Sequence, residues 1–295
     1  MSDAVLPDTR EQVLVGIMLT SIAYLLFSVQ DASIKLLVSG IAVWQILFFR
    51  SATILLACVI IDGPRILNAS ALSPIVKPML LRSFLILSAW LSYYTAAKSL
   101  PLAELTTIYF GAPVMVTVLS IFVLGEKVPA MRWAAVLIGF VGVFVACDPA
   151  NLGLSVPVAL VLVAAFLWAL AMVFMRKIAM QERTMIQLVL NNAFFLVMAG
   201  VPMLFLWQTP DWRELLLLLG VGALGGCGQF MLFEGMKRAS VSVIAPFEYT
   251  ALIWAFLLGF LIWGDVPRRE VVVGAAIIVA AGLLLILSER FRKQA

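Results

Sequence analysis

Apolar residues run along this chain in long blocks broken by short polar punctuation, and the block lengths set its class. A helix needs about 20 residues to cross the hydrocarbon core of a bilayer. Windows bounded by charge, proline or glycine predict ten such spans, at 12–38, 43–61, 78–97, 102–124, 132–147, 156–175, 185–207, 214–236, 242–263 and 271–288. What remains suffices for short connections and two tails, 1–11 and 289–295, with no room for an extramembrane domain. The expected fold class is an all-α membrane protein of ten transmembrane helices. The stretch Met1–Gln12 is polar and lacks both a basic n-region and a small-residue cleavage site. It is expected to be a retained cytoplasmic tail before a signal-anchor helix.

Composition narrows the function. Of 295 residues, 64% are hydrophobic and 12% charged, with a mean hydropathy of +1.11; soluble domains carry about a quarter charged residues. A net charge of +4 with no basic block gives no footprint for nucleic acid. The absence of histidine removes the commonest general base and metal ligand, leaving an intramembrane enzyme little chemistry. Cys58, Cys147 and Cys227 are scattered through apolar runs without Cys-x-x-Cys spacing, which argues against a disulfide framework and a zinc site. Gly220–Gly225 matches G-x-G-x-x-G but lies within a continuous apolar run. A dinucleotide fingerprint needs a strand before it and a helix after it. No cofactor is expected. Without a Walker A sequence, ATP-driven transport would need another protein, and no ATPase subunit is evident.

The basic residues orient the bundle. With the N-terminus inside, 14 of the 20 Lys and Arg residues fall in cytoplasmic segments and four outside, while Lys35 and Arg50 lie within spans. That bias predicts a multi-pass inner (plasma) membrane protein with both termini cytoplasmic and lipid as its constant partner. Trp44, Trp133, Trp207, Trp212 and Trp263 fall at span ends, as interfacial anchors do.

A shift of about 140 residues superimposes the landmarks of the two halves. Lys35 meets Lys177 and Arg50 meets Asn192 at 142; Lys98 meets Lys237 and Gly125-Glu126 meets Gly264-Asp265 at 139; Gly142 meets Gly282 at 140. Residues 12–147 and 156–288 therefore form two five-helix repeats. Five is odd, so the copies take opposite orientations in the bilayer, with a central substrate cavity expected between them.

Several motifs mark this repeat: Asp31-Ala-Ser-Ile-Lys35 closing the first span, Phe49-Arg50, Pro113, Leu124-Gly-Glu126, Pro246-Phe-Glu248 and Gly264-Asp265. Through them the chain resembles the drug/metabolite transporter superfamily, in particular its ten-helix EamA-type members. Within these it is most similar to the YddG-type aromatic amino acid exporters. The resemblance implies export or exchange of small metabolites by alternating access, without ATP. Asp265 replaces the more usual Glu, and Asn192 stands where the first half has Arg50, so the halves are expected to be functionally unequal.

Charges inside spans mark where to look for mechanism, since each costs about 2.5–3.5 kcal/mol on insertion scales. Asp31 and Arg50 lie at similar depth in adjacent spans. Either they form a bridge that fixes helix packing, or they border the cavity and part during the cycle. Lys35, at i+4 from Asp31, is expected to snorkel. Trp90 and Tyr94 share a face of span three, with Tyr93 beside them; Tyr109 in span four matches Glu248 in span nine at 139, and Trp168 is mid-span in six. With Gln229 and Tyr249 they predict an aromatic-walled, sparsely polar site for an amphipathic small molecule. Glu248 is a candidate proton or amine partner, or else a carboxylate that satisfies a helix end. Pro113 and Pro246 remove backbone donors and are either flex points or plain bends. Gly222 and Gly226 are expected to permit close helix contact. The function expected is amino-acid export, aromatic substrates favoured; the alternative is uptake or exchange of a larger aromatic metabolite such as a flavin or a nucleoside-containing cofactor.

Overall fold

The computed structural model describes residues 10–124, 130–147, 155–175, 182–238 and 247–294. Every described segment is helical, and helices fall in each of the ten apolar windows. They are α1 (Arg10–Leu37), α2 (Val43–Asp62), α3 (Arg65–Ala71), α4 (Val76–Ala96), α5 (Leu102–Tyr109) and α6 (Ala112–Leu124). Then follow α7 (Ala130–Cys147), α8 (Val156–Met175), α9 (Thr184–Phe205), α10 (Trp212–Arg238), α11 (Thr250–Trp263) and α12 (Arg269–Gln294). In hydrocarbon each backbone N–H and C=O must be satisfied within its own segment, which is why apolar blocks of this length become helices.

Among the described residues five helical stretches are long and apolar enough to cross a membrane alone: Glu11–Leu37, Val43–Asp62, Val156–Phe174, Thr184–Phe205 and Trp212–Gly235. The third window begins differently from the expectation. A seven-residue helix, α3, precedes α4 and is bent from it by 97°. Ile66 and Ser70 of α3 are buried while Arg65 and Leu67 are exposed, so one face of this short helix seats on α9. The fourth window is also broken, into α5 and α6. Helix ends follow local chemistry. Gly264 sits at φ 69° and donates to Phe260 O at 2.9 Å, and Asp265 N donates to Gly259 O at 3.2 Å, a left-handed cap that satisfies the last carbonyls of α11.

Two repeats are visible in how the helices pair. Counting α1 with α8, α2 with α9, α4 with α10, α5–α6 with α11 and α7 with α12, the main contacts exchange with one another. The α1–α10 contact becomes α8–α4, α2–α10 becomes α9–α4, and α1–α11 becomes α8 against α5 and α6. The α2–α9, α7–α12 and α5–α11 contacts map onto themselves, as two copies of one unit require about a pseudo-twofold axis. The α7–α12 contact depends on glycine: a Cβ on Gly142 would stand 3.0 Å from Gly274 O and 2.8 Å from Ile278 Cγ1. Close approach also holds α10 to α2, where a Cβ on Gly222 would overlap Thr53 and one on Gly226 would meet Ile54 at 3.2 Å. Outward faces expose Ile60, Ile61, Val201 and Phe205, an apolar surface suited to lipid and not to water.

Candidate substrate site

Arg50 organises the first half of the site. It lies about 10 Å into α2, measured from the end of the bundle that carries the α1–α2 turn, here the Gly40 end. Its side chain is buried, with 2% exposure. The guanidinium carbon sits 4.3 Å from the Trp90 ring centroid, and Nε donates to Gln30 Oε1 at 3.3 Å. Gln30 Nε2 donates to Tyr94 Oη at 3.4 Å, and Tyr94 Oη donates to Asp31 Oδ1 at 3.1 Å. Asp31 and Arg50 thus belong to one network, but among the described residues no direct ion pair joins them. Gln30 occupies the space that a bridge would need. Gly225 of α10 makes room for it: a Cβ there would overlap Gln30 Oε1 and stand 2.9 Å from Arg50 Nε. Arg50 Nη1 is buried without a hydrogen-bond partner.

From this network a row of rings runs across the bundle. Trp90 meets Phe195 of α9 edge-on at 5.2 Å. Tyr94 meets Tyr93 at 5.4 Å, Tyr93 meets Tyr109 at 4.9 Å, and Tyr109 meets Trp168 of α8 at 6.1 Å. Each such pair is worth about 0.5–1.5 kcal/mol beyond its buried area. Tyr93 Oη and Thr106 Oγ1 are 3.4 Å apart. The structure therefore brings Asp31, Arg50, Trp90, Tyr94, Tyr109 and Trp168 into one connected group. Gln30, Tyr93 and Phe195 complete it, and sequence reasoning gave none of the three a leading place. Gln30 was legible as a polar residue beside Asp31; Phe195 carries no signal apart from the apolar run around it.

Glu248 and Tyr249 form a neighbouring group. Tyr249 packs on Phe110 at 5.6 Å, and Glu248 lies within electrostatic range of Tyr24, Tyr109 and Tyr249. Both half-sites stand at breaks in their spans. In the first half the helix stops after Tyr109, turns through Phe110 and Gly111, and restarts at Ala112. At the repeat-equivalent place Phe247 and Glu248 are helical, Tyr249 turns, and α11 starts at Thr250, whose Oγ1 donates to Phe247 O at 2.6 Å. Pro113 is the second residue of α6, where helical N–H groups lack partners in any case, so the break precedes the proline. Pro246 lies outside the described residues. Gln229 stands one turn beyond Gly225 on α10, its Oε1 buried without a partner.

At the Gly40 end the halves are tied together. Lys35 donates to Leu100 O, in the turn between α4 and α5, and lies 5.1 Å above the Trp263 ring. Trp263 thereby holds a cation, besides sitting at a span end. Arg268, between α11 and α12, pairs with Glu104 of α5 at 2.9 Å, joining the second repeat to the first. Two cavities open at this end, about one turn from Asp31 and Tyr94. One of 390 Å³ is lined by residues including Gly40, Trp44, Leu91 and Thr95; the other, of 470 Å³, by Lys35, Ala97, Lys98 and Trp263 among others. Neither lies among the rings, which are packed against one another.

Comparison with known proteins settles the family. The sequence pattern of the EamA-like transporter family matches this chain twice, over residues 14–147 and 156–288. The chain belongs to the EamA-like transporter family. The two matches coincide with the two structural repeats. The chain is 26% identical over 287 residues to the S-adenosylmethionine uptake transporter of Rickettsia prowazekii (strain Madrid E), covering 96% of each protein. It is 30% identical over 211 residues to a riboflavin transporter of Vibrio cholerae, covering 68% of each. A pseudopaline exporter of Pseudomonas aeruginosa is 26% identical over 278 residues, 92% of this chain and 95% of that one. A solved crystal structure superposes with a TM-score of 0.64 over 97% of this chain and 99% of the other, at 18% identity, and shares the fold. This EamA-like protein is thus a multi-pass integral membrane transporter of small molecules, not an enzyme. Its relatives include both importers and exporters, so family membership leaves direction and substrate open.

Proposed function

We propose that this EamA-like transporter carries a zwitterionic metabolite with an aromatic or nucleoside part, S-adenosylmethionine foremost, by alternating access. The observation that carries the reading is Arg50 with its free Nη1, stacked on Trp90 and in one network with Asp31 at the head of the Tyr94–Trp168 row of rings. A guanidinium suits a carboxylate and Asp31 suits an ammonium, the two charges of an amino-acid head group. Flat rings favour an adenine or another aromatic body, and their faces attract a sulfonium cation. The similarity to S-adenosylmethionine uptake transporters over nearly the whole chain supports the same class.

Export of aromatic amino acids is the second reading. It uses the same head-group contacts and a shorter stretch of rings. In both readings the bias of basic residues supports an inner-membrane protein with both termini on the cytoplasmic side. Glu248, at the second break, serves as the proton or amine partner, while Tyr109 and Tyr249 line the path between the breaks.

Ligand-dependent thermal stabilisation of the purified protein tests this. A ligand bound at 100 times its Kd stabilises the folded state by about 2.7 kcal/mol. S-adenosylmethionine is expected to raise the apparent Tm most, phenylalanine and tryptophan less, and riboflavin least. Stabilisation by riboflavin alone would reject the zwitterion reading.

A further inference from the structure

Arg82 is a second buried guanidinium that the site described so far does not use. It lies about 9 Å into α4 from the opposite end of the bundle, where α3 turns into α4, here the Ala71 end. Its basic character suggests a cytoplasmic surface position, yet its exposure is 6%. Nη1 donates to Asn191 Oδ1 of α9 at 3.3 Å, an acceptor shared with Ser83 Oγ at 3.2 Å. Nε is buried without a partner, and so are Asn192 Oδ1 on α9 and Ser70 Oγ on α3. Among the described residues no carboxylate pairs with Arg82. A buried cation without a counter-charge costs several kcal/mol, a cost offset when an anion arrives.

Repeat symmetry gives the position its meaning. Arg50 lies where α2 crosses α10; the equivalent crossing in the other half is α9 with α4. There Asn192 stands in place of Arg50 on α9, and the guanidinium comes instead from α4. At the 139-residue offset Arg82 corresponds to Val221, one turn from Gly225, against which Arg50 rests. Among the described residues the bundle thus holds two buried guanidinium groups at matching depths from opposite ends, one on each side of the pseudo-symmetric centre. When inverted repeats exchange conformations, the environment of one crossing becomes that of the other.

We infer that Arg82 is a second binding post for the substrate carboxylate, engaged when the transporter opens towards the Ala71 end, as Arg50 is when it opens towards the Gly40 end. This rests on the proposal above that the substrate carries a carboxylate. Arg82 then lets the anion change partners during translocation, so the head group stays paired on both sides of the cycle.

The test is initial-rate transport in proteoliposomes, with substrate offered to each face in turn. The probes are S-adenosylmethionine and its decarboxylated form, with phenylalanine and phenethylamine as a second pair. Loss of a charge-assisted hydrogen bond weakens binding by about tenfold or more. Arg82→Gln is expected to raise KM for the carboxylated probes by that factor from the Ala71 face only, and Arg50→Gln from the Gly40 face only. The decarboxylated probes are expected to show no such asymmetry. Should Arg82→Gln fail to fold, Arg82→Lys keeps the charge, loses the planar fork, and gives a smaller rise on the same face. A rise equal on both faces, equal for both members of a probe pair, or absent in both Arg82 variants overturns the inference while leaving the substrate reading intact. Wild-type protein that carries neither carboxylated probe overturns both.

Discussion

The two breaks in the spans share a backbone design and differ in chemistry. At Tyr109–Gly111 the interruption carries a tyrosine whose ring is wedged between Tyr93 and Trp168. At Glu248–Tyr249 the equivalent position carries a carboxylate, with the neighbouring ring on Phe110. The span is broken at the equivalent place in both repeats, a symmetry that alternating access by exchange of inverted repeats would use. The side chains there differ in kind: a tyrosine ring in the first half, an ionisable group in the second. The break recurs at the repeat-equivalent place while its side chain differs, Tyr109 in one copy and Glu248 in the other.

The sharpest way to break this comparison is to remove the charge from the second break. Glu248→Gln keeps size and shape and is expected to lower net flux by about tenfold or more, on the scale of acid–base steps in proteins. Exchange of labelled for unlabelled substrate is expected to persist, because exchange does not require the carriers to return empty. Equal loss of net flux and exchange would reassign Glu248 to binding. The next largest effect belongs to the first break. Tyr109→Ala removes two ring pairs worth about 0.5–1.5 kcal/mol each from the packed protein, so the apparent Tm is expected to fall by a few degrees in a thermal melt. Tyr109→Phe keeps both rings and is expected to stay near wild type; equal damage from the two variants would show that the hydroxyl, not the ring, carries the effect. The smallest effect is expected at Pro113. A proline in a helix interior costs about 3 kcal/mol, and at the first turn it costs little. Pro113→Ala is therefore expected to leave thermal stability and flux almost unchanged, and a large loss of flux would move the hinge from Gly111 to the proline.

Much of the fold was legible because membrane helices obey a single rule. An apolar block of sufficient length has to satisfy its own backbone, so the windows of the sequence became the helices of the structure. The repeat was legible for a related reason: scarce charges in an apolar background act as fixed landmarks, as Lys35 and Arg50 did. Local geometry was harder to read. The seven residues of α3 lie in a polar stretch that reads as a loop, and in the fold they form a helix packed against α9 and α2. The break in the fourth span fell at Phe110–Gly111 because Gly111 fits against Val143: a Cβ there would stand 3.0 Å from Val143 Cγ2, a tertiary fact invisible in the run around Pro113. Asp31 and Arg50 stand in one network, but the Gln30 that links Arg50 to Tyr94, and the glycine on α10 that admits it, depend on a helix nearly 200 residues away. Arg82 was hidden by a reasonable rule. Basic residues near span ends usually face water, and its burial follows from how α4 and α9 cross.

Arg50 with Asp31, beside the row of rings, is proposed to hold both charges of an amino-acid head group on an aromatic or nucleoside body. Counterflow tests it most directly. Proteoliposomes loaded with unlabelled S-adenosylmethionine are diluted into a trace of the labelled compound, with competitors added outside. The account predicts transient accumulation of label, blocked strongly by the intact zwitterion and weakly by the decarboxylated form. Absence of counterflow for S-adenosylmethionine and for phenylalanine, in liposomes of folded protein that do carry riboflavin, would contradict it.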